Sequence, residues 1–284
     1  MRQITEEQVE AFRARLRATD HAPGTVANYC RHLACFAQWL GEREAAPGAA
    51  AAWRSHLLER GYTPGTINTM LVSLNRFFGF LGWNDCQVKT LRIQRRLFRE
   101  DCKELTREEY QRLIAAAQST GRERLMLLME TICSTGIRVS EVKYITVEAL
   151  KLGKAEISLK GKIRTILLPN KLCRKLLKYA KKQRTASGEV FLTRNGTGLS
   201  RKQIWAEMKS VCEKARVAAS KVFPHNLRHL FARTFYKVCR DVARLADVLG
   251  HSSIETTRIY LISTGVEHLR MLERMSKANS PSPR

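Results

Sequence analysis

The 284-residue sequence lacks several features that mark whole classes of protein. It has no apolar run of about 18 residues, which a membrane-spanning helix needs, and no basic start followed by the apolar stretch of a signal peptide. Its eight cysteines form no C-x-x-C pair and do not cluster with histidines at metal-ligand spacing. No Gly-x-x-x-x-Gly-Lys-[Ser/Thr] phosphate loop occurs. These absences argue against a membrane protein, a disulfide framework, a zinc site and an ATP-driven enzyme, and they predict a cytoplasmic chain with reduced cysteines.

Acidic residues are also scarce relative to basic ones. The chain has 26 Asp and Glu against 50 Lys and Arg, a net charge of +24. Residues 1–88 are nearly balanced, with 9 basic and 8 acidic side chains, whereas residues 89–284 hold 41 basic and 18 acidic side chains. A positive field of this kind attracts polyanions, and DNA is the interpretation we favour over a membrane surface or a merely soluble basic protein.

The first 88 residues predict a small domain of four helices. Apolar residues recur at helical spacing, Thr5-x-x-Gln8 has the form of a capping box, and Pro-Gly-Thr precedes two of the apolar stripes. The segments 22–41 and 63–82 align without a gap, which either an internal duplication or the repeated use of the same start and stop residues explains. The predicted helices are 6–18, one after Thr25 up to Gly41, 49–60, and one after Thr66 up to Gly82.

The rest of the chain predicts a mainly helical domain with one small β-hairpin. Residues 89–99 carry five basic and no acidic side chains, so they form either a solvated linker or a segment that crosses a phosphate backbone. Residues 155–168 alternate as β-strands do, with Gly161-Lys162 as the tight turn. Thr106-x-x-Glu109 is a second capping box. Further helices are predicted at 122–134, 170–183, 200–215, 226–238, 241–249 and 253–261.

Five side chains follow one another in an order suited to attack on a phosphodiester: Arg138, His225, Arg228, His251 and Tyr260. Arginine forks bind two phosphate oxygens, histidines donate or relay protons, and a tyrosine hydroxyl can become a nucleophile. Each residue alone has a plainer explanation, as a surface arginine, a helix-start histidine or a packed tyrosine. His229 lies one position off the face that His225 and Arg228 share, which suits a structural side chain.

The motifs around these residues resemble those of the tyrosine recombinases, the phage-integrase family. They are Thr135-Gly136-Ile137-Arg138-Val139-Ser140-Glu141, Pro224-His225-Asn226-Leu227-Arg228-His229, and the run from Leu249-Gly250-His251 to Tyr260. The resemblance implies a two-domain DNA clamp: a helical SAM-like core-binding domain at 1–88, a basic linker at 89–102, a mixed α/β catalytic domain at 103–275 and a disordered tail at 276–284. This plan is closest to that of the two-domain Xer recombinases.

The resemblance also implies an activity and a set of roles. The chain is expected to be a site-specific recombinase that joins Tyr260 to a DNA 3′-phosphate and rejoins the strands without ATP, metal or another cofactor. Arg138, Arg228, His225 and His251 would hold the phosphate. The family's lysine precedes the glycine of a β-hairpin turn, which indicates Lys160 as the acid for the leaving 5′-oxygen, with Lys162 as the alternative.

Glu141 is expected either to orient Arg138 by a hydrogen bond or to be an ordinary helix-start carboxylate. The basic linker would bind DNA through five side chains: Lys89, Arg92, Arg95, Arg96 and Arg99. The implied partners are double-stranded DNA recombination sites and other copies of the chain, monomeric when free and tetrameric on two sites, with no membrane and a nucleoid-associated location in the cytoplasm. A type IB topoisomerase and a catalytically silent DNA-binding protein are the competing interpretations.

Overall fold

The structure, a computed structural model, describes residues 2–93, 104–159, 162–251, 253–258, 260, 273 and 275. The chain divides into two compact units, Met1–Arg95 and Arg96–Arg284. Within the part of the chain that is described, no helix is long and apolar enough to span a membrane. The predicted tail at 276–284 lies outside the described residues.

The first unit is the predicted set of four helices. Their bounds are Glu6–Ala18 (α1), Pro23–Leu40 (α2), Ala49–Glu59 (α3) and Pro64–Phe80 (α4). Helices α2 and α4 begin at their prolines, earlier than predicted, because the fixed φ of proline suits the first helical position, where no N–H partner is needed. The capping box of Thr5 and Gln8 is present at the start of α1.

Aromatic rings fill the core of the first unit. The rings of Phe12 and Phe77 meet edge to face with centroids 5.3 Å apart, and those of Phe36 and Trp53 with centroids 5.0 Å apart. All four side chains are buried. Large apolar rings of this kind supply most of the burial that a small helical domain needs for stability.

The chain leaves the first unit along α4. The side-chain amide of Asn75 pairs with both backbone groups of Val88, at 2.8 and 3.0 Å, and Asn68 pairs in the same way with Leu91, at 2.9 and 2.7 Å. Arg54 donates to the carbonyl of Lys89 at 2.9 Å. The described start of the basic segment is therefore held on the first unit, and its residues 94–99 lie outside the described part.

The second unit is mainly helical with one antiparallel hairpin. Its elements are α5 (Arg107–Ser119), α6 (Glu123–Thr135), α7 (Val147–Leu152), β1 (Lys154–Leu159), β2 (Lys162–Leu167), α8 (Asn170–Lys182), α9 (Arg201–Lys209), α10 (Cys212–Ala215), α11 (Pro224–Cys239), α12 (Val242–Leu249) and α13 (Ile254–Arg258). The capping box of Thr106 and Glu109 starts α5 as predicted. The apolar face of α6 is buried in the core of this unit and packs beside α11.

Three predictions for this unit are wrong in detail. Residues 200–215 form two helices, because the chain turns at Ser210, whose hydroxyl donates to the Glu207 carbonyl at 2.7 Å. The strands pair Leu159 with Lys162, so Lys162 belongs to β2 and not to the turn. The described part of the last helix ends at Arg258, and Tyr260 lies in the turn that follows.

The cysteines that the structure describes are free thiols. Cys86, Cys173 and Cys212 are buried among apolar side chains, as expected for small core residues. Cys35 is exposed, which the sequence pattern did not predict.

Candidate active site

Gly136 sets the position of Arg138. Helix α6 ends at Gly136, whose left-handed φ of 65° favours glycine, and a Cβ there would overlap the Phe231 ring. The chain then extends to Arg138, and its backbone N–H donates to Oε2 of Glu141 at 2.8 Å. The Arg138 side chain donates from Nη1 to Oε1 of Glu141 at 2.9 Å, while 42% of that side chain stays exposed.

Glu141 is a buried carboxylate held by two arginines. Its side chain is 2% exposed, and it accepts from Arg138 and, at 3.3 Å to each oxygen, from Nη1 of Arg164. Buried carboxylates are stable only with such charged partners. The expected hydrogen bond between Arg138 and Glu141 is therefore present, with Arg138 donating, and a second arginine that the sequence interpretation did not include donates to the same carboxylate.

Arg228 lies on α11 with 1% of its surface exposed. It donates to the Gly136 carbonyl, to the Leu249 carbonyl at 2.8 Å and to Nε2 of His251 at 2.9 Å. Its guanidinium therefore joins the end of α6, the end of α12 and the residue that follows α12. A guanidinium can donate to three such acceptors from its planar fork, whereas an ammonium group offers no such fork.

The three arginines meet at the carboxyl end of α12. Successive carbonyls there accept from different guanidinium groups: Val248 from Arg164 at 2.8 Å, Leu249 from Arg228 at 2.8 Å, and Gly250 from Arg138 at 3.4 Å. The last carbonyls of a helix lack partners within it and carry partial negative charge, so cations are stabilised there. The end of α12 thus gathers side chains from three separate parts of the chain.

This cluster has an excess of positive charge. Burial lowers the pKa of Arg164 to about 10, which leaves this guanidinium protonated at neutral pH, and burial also lowers the pKa of Arg228. Glu141 pairs with Arg138 and Arg164, whereas Arg228 donates to two carbonyls and to His251 and has no carboxylate among these partners. Uncompensated guanidinium charge is the arrangement that binds a phosphate group.

His251 lies one residue beyond Gly250, which caps the end of α12, and it is held at both ring nitrogens. Arginine can only donate, so Nε2 of His251 accepts from Arg228, and Nδ1 carries the hydrogen that it donates to the Thr257 hydroxyl, 2.8 Å away. Burial, followed by the charges of Arg228 and Arg138, lowers the pKa of His251 to about 4. The ring is therefore neutral at pH 7 in the unliganded site.

Tyr260 packs against the histidines. Its ring is 4% exposed and stacks on His251, with centroids 5.6 Å apart and an interplanar angle of 13°. The centroid of His229 lies 4.4 Å away and that of His225 lies 6.0 Å away. Burial lowers the pKa of Arg228, and the interaction of Arg228 with the Tyr260 hydroxyl partly offsets that lowering. Five of the six predicted catalytic residues are thus brought together.

The sixth predicted residue, Lys160, lies outside the described residues, so the choice between Lys160 and Lys162 stays a prediction. Three residues of the site were missed: Arg164, His229 and Thr257. Arg164 had a signal in the sequence, because it alternates with Ile166 and Leu168, which are buried, and so shares the inward face of the predicted strand. Among the described residues, no group of three or more His, Cys, Asp and Glu side chains is placed to hold a metal ion.

The low pKa of His251 predicts a pH dependence of folding. In the unfolded chain this histidine titrates near 6.5, so between about pH 6.5 and 4 the unfolded state binds the extra proton. The stability contributed by the neutral ring is present above that window and is lost as the pH falls through it. We expect the urea midpoint to fall between pH 7 and pH 5, and the His251→Gln variant to show a smaller fall. An equal fall in both proteins would contradict the burial of a neutral His251.

Known proteins resemble this chain over nearly its whole length. The phage integrase family matches residues 103–265, and the N-terminal SAM-like domain of phage integrases matches residues 9–85. The chain is 30% identical over 282 residues to tyrosine recombinase XerA of Thermococcus kodakarensis, covering 95% of each sequence. It is 30% identical over 286 residues to XerA of Pyrococcus furiosus, covering 97% of this chain and 95% of that protein.

Solved structures share the fold at lower identity. A Tn1549 transposon integrase in complex with transposon right end DNA superposes with a TM-score of 0.72 at 16% identity, covering 95% of this chain and 99% of that one. A λ integrase dimer bound to a COC′ core site superposes with a TM-score of 0.71 at 17% identity, covering 90% of this chain and 94% of that one. A crystal structure of XerA recombinase superposes with a TM-score of 0.52 at 20% identity, covering 99% of this chain and 100% of that one.

A helical two-unit fold with arginines, histidines and a tyrosine gathered at one point defines a class of enzyme that acts on phosphodiesters. The chain belongs to the phage integrase family and is a tyrosine recombinase, an enzyme that cuts and rejoins DNA. Its activity is site-specific recombination.

Proposed function

We propose that the chain recombines two double-stranded DNA sites through a covalent bond between Tyr260 and a 3′-phosphate. Arg138 and Arg228 bind the phosphoryl oxygens, His225 and His251 contact the same phosphate, and Lys160 protonates the leaving 5′-oxygen. The Tyr260 hydroxyl loses its proton to water as the tyrosine O–P bond forms and the P–O5′ bond breaks, and the reverse step with a new 5′-hydroxyl restores the backbone and the tyrosine hydroxyl. The energy of the bond is retained, so no nucleotide is consumed.

One observation carries this proposal: Arg138 and Arg228 both donate to carbonyls at the end of α12, and Arg228 also donates to His251, whose ring stacks on Tyr260. Preorganised cations of this kind stabilise charge that develops on the phosphoryl oxygens in the transition state. Arg138 is the partly exposed member, and we expect its side chain to exchange the long 3.4 Å bond to the Gly250 carbonyl for a phosphate oxygen.

The chain's affinity for DNA is proposed to come from its second unit and from the basic segment Lys89, Arg92, Arg95, Arg96 and Arg99. Most of the net charge lies after residue 88, and phosphate contacts supply affinity without reading sequence. Lys89 and Arg92 are the members of this segment within the described residues, and Arg95, Arg96 and Arg99 lie outside them.

Assembly is proposed to follow from the number of strands that are exchanged. Each protomer supplies one Tyr260, and two duplexes have four strands to cut, so four protomers on two sites complete one reaction. A λ integrase tetramer has been solved on a Holliday junction, which supports this stoichiometry by analogy. Because the substrate is DNA, we propose that the protein works in the cytoplasm at the nucleoid and binds no membrane.

A plasmid assay tests the proposed function. The DNA site is first selected from random duplexes by binding, and two copies are placed on one supercoiled plasmid. We expect inversion or deletion between the copies in the presence of EDTA and without nucleotide, and no recombinant from a plasmid with one copy. Relaxation without recombinants would instead favour a topoisomerase, and binding without either product would favour a silent DNA-binding protein.

A further inference from the structure

Arg164 is the third arginine of the cluster, and the reaction as proposed gives it no role. It lies on β2 with 13% of its side chain exposed. It donates from Nη1 to both oxygens of Glu141 at 3.3 Å and from Nη2 to the Val248 carbonyl at 2.8 Å. One side chain therefore joins the hairpin, the carboxylate beside Arg138 and the end of α12.

The stem of Arg164 also packs against Gly250, the residue before His251. Gly250 has a left-handed φ of 62°, and a Cβ there would overlap Cδ of Arg164. The absence of a side chain at Gly250 is what lets the arginine stem cross this corner. Arg164 consequently contacts both Gly250, which precedes His251, and Glu141, which binds Arg138.

This placement costs free energy that a purely structural contact would avoid. Burial lowers the pKa of Arg164, the nearby charges of Arg228 and Arg138 lower it further, and Glu141 opposes both. The Nε donor is buried and has no acceptor among the described residues. Well-packed apolar side chains commonly replace a buried ion pair without loss of stability, so stability does not explain a third cation here.

We propose that Arg164 is a positioning residue that holds Glu141 and the end of α12 so that Arg138 and His251 are aligned on the same phosphate. The inference rests on the proposed roles of Arg138 and His251. Arg138 binds Glu141 through both its backbone N–H and its side chain, and Arg164 binds the same carboxylate from the hairpin. When the Arg138 side chain turns to a phosphate, Arg164 still neutralises Glu141 and keeps it in place as the acceptor for the Arg138 backbone.

The test measures covalent joining and DNA binding separately. The probe is a nicked duplex that carries the selected site and traps the protein–DNA adduct. In Arg164→Gln we expect the rate of adduct formation at saturating DNA to fall about 30-fold, because a small misplacement of reacting groups has effects of this size. The dissociation constant for DNA is expected to change less than about threefold, because phosphate contacts elsewhere supply most of the affinity.

A matched control is Arg124→Gln. Arg124 also joins a carboxylate and a carbonyl in the second unit, Glu207 at 2.6 Å and Leu192, and it belongs to no part of the cluster. Its removal is expected to lower the melting temperature as much as Arg164→Gln does while leaving the adduct rate at the wild-type level. A second variant, Arg164→Lys, keeps the charge without the fork and is expected to be slowed as well.

A double-mutant cycle with Glu141→Gln separates positioning from stability. If Arg164 acts through Glu141, the two substitutions together slow adduct formation by less than the product of their separate effects. A wild-type rate in Arg164→Gln, an equal slowing in Arg124→Gln, or independent effects in the cycle would each overturn the inference. If the wild-type protein forms no adduct, the proposed function itself fails, and this inference fails with it.

Discussion

Replacing Tyr260 with Phe is expected to abolish strand cleavage while folding and DNA binding persist. The substitution removes one oxygen and leaves the ring that stacks on His251 and packs with Leu245 and Leu249. Without the hydroxyl no phosphotyrosine bond can form, and we expect the cleavage rate to fall at least about 10⁴-fold, as it does when other enzymes lose a nucleophile. Adduct formation on the nicked duplex measures this.

Tyr236→Phe is the matched control for this experiment. Tyr236 packs against the same apolar cluster as Tyr260, so its substitution makes the same chemical change without touching the proposed nucleophile. It should cleave as the wild-type protein does. A covalent adduct formed by Tyr260→Phe would show that another residue attacks the phosphate.

Replacing Arg228 or Arg138 with Lys is expected to have the next largest effect on cleavage. Lysine keeps the positive charge but loses the planar fork that binds two phosphate oxygens. We expect a loss of about 2 kcal/mol or more in transition-state stabilisation, which is about a 30-fold slower cleavage rate. Single-turnover cleavage of the selected site measures it.

The two variants differ in their effect on folding. Arg228 is buried and donates to Gly136, Leu249 and His251, so Arg228→Lys should also lower the melting temperature. Arg138 is partly exposed, so Arg138→Lys tests the chemistry with less disturbance of the fold. Arg258→Lys serves as a control because this exposed arginine pairs with Glu255 on the surface. Cleavage near the wild-type rate in both test variants would contradict the proposed clamp.

Local signals in the sequence were enough to predict most of the helices. The capping boxes at Thr5 and Thr106 and the apolar stripes of α1 to α4 act within a few residues of chain; both boxes formed as predicted, and all four helices formed, with α2 and α4 starting at their prolines. The candidate catalytic residues stood out for a different reason, since their order and spacing along the chain are specific even though each residue type is common; their catalytic roles stay a prediction. The structure adds the distances that bring five of them together.

Contacts between segments that are far apart in the chain could not be predicted from local sequence patterns. Arg164 donates to Val248 across 84 positions of chain, and no local pattern predicts that contact. The error at the hairpin turn arose because Gly161 alone does not set the register, which follows from the pairing of Leu159 with Lys162. His229 was set aside because it lies off the Arg228 face, yet the Tyr260 ring packs against it.

The proposed covalent bond between Tyr260 and a DNA 3′-phosphate can be mapped directly. The wild-type protein is trapped on the nicked duplex, the adduct is digested with nuclease and protease, and the modified peptide is sequenced by mass spectrometry. We expect a 3′-nucleotide phosphate on Tyr260 and on no other residue. A phosphate on a different tyrosine, or a cleaved strand with no attached peptide, would contradict it.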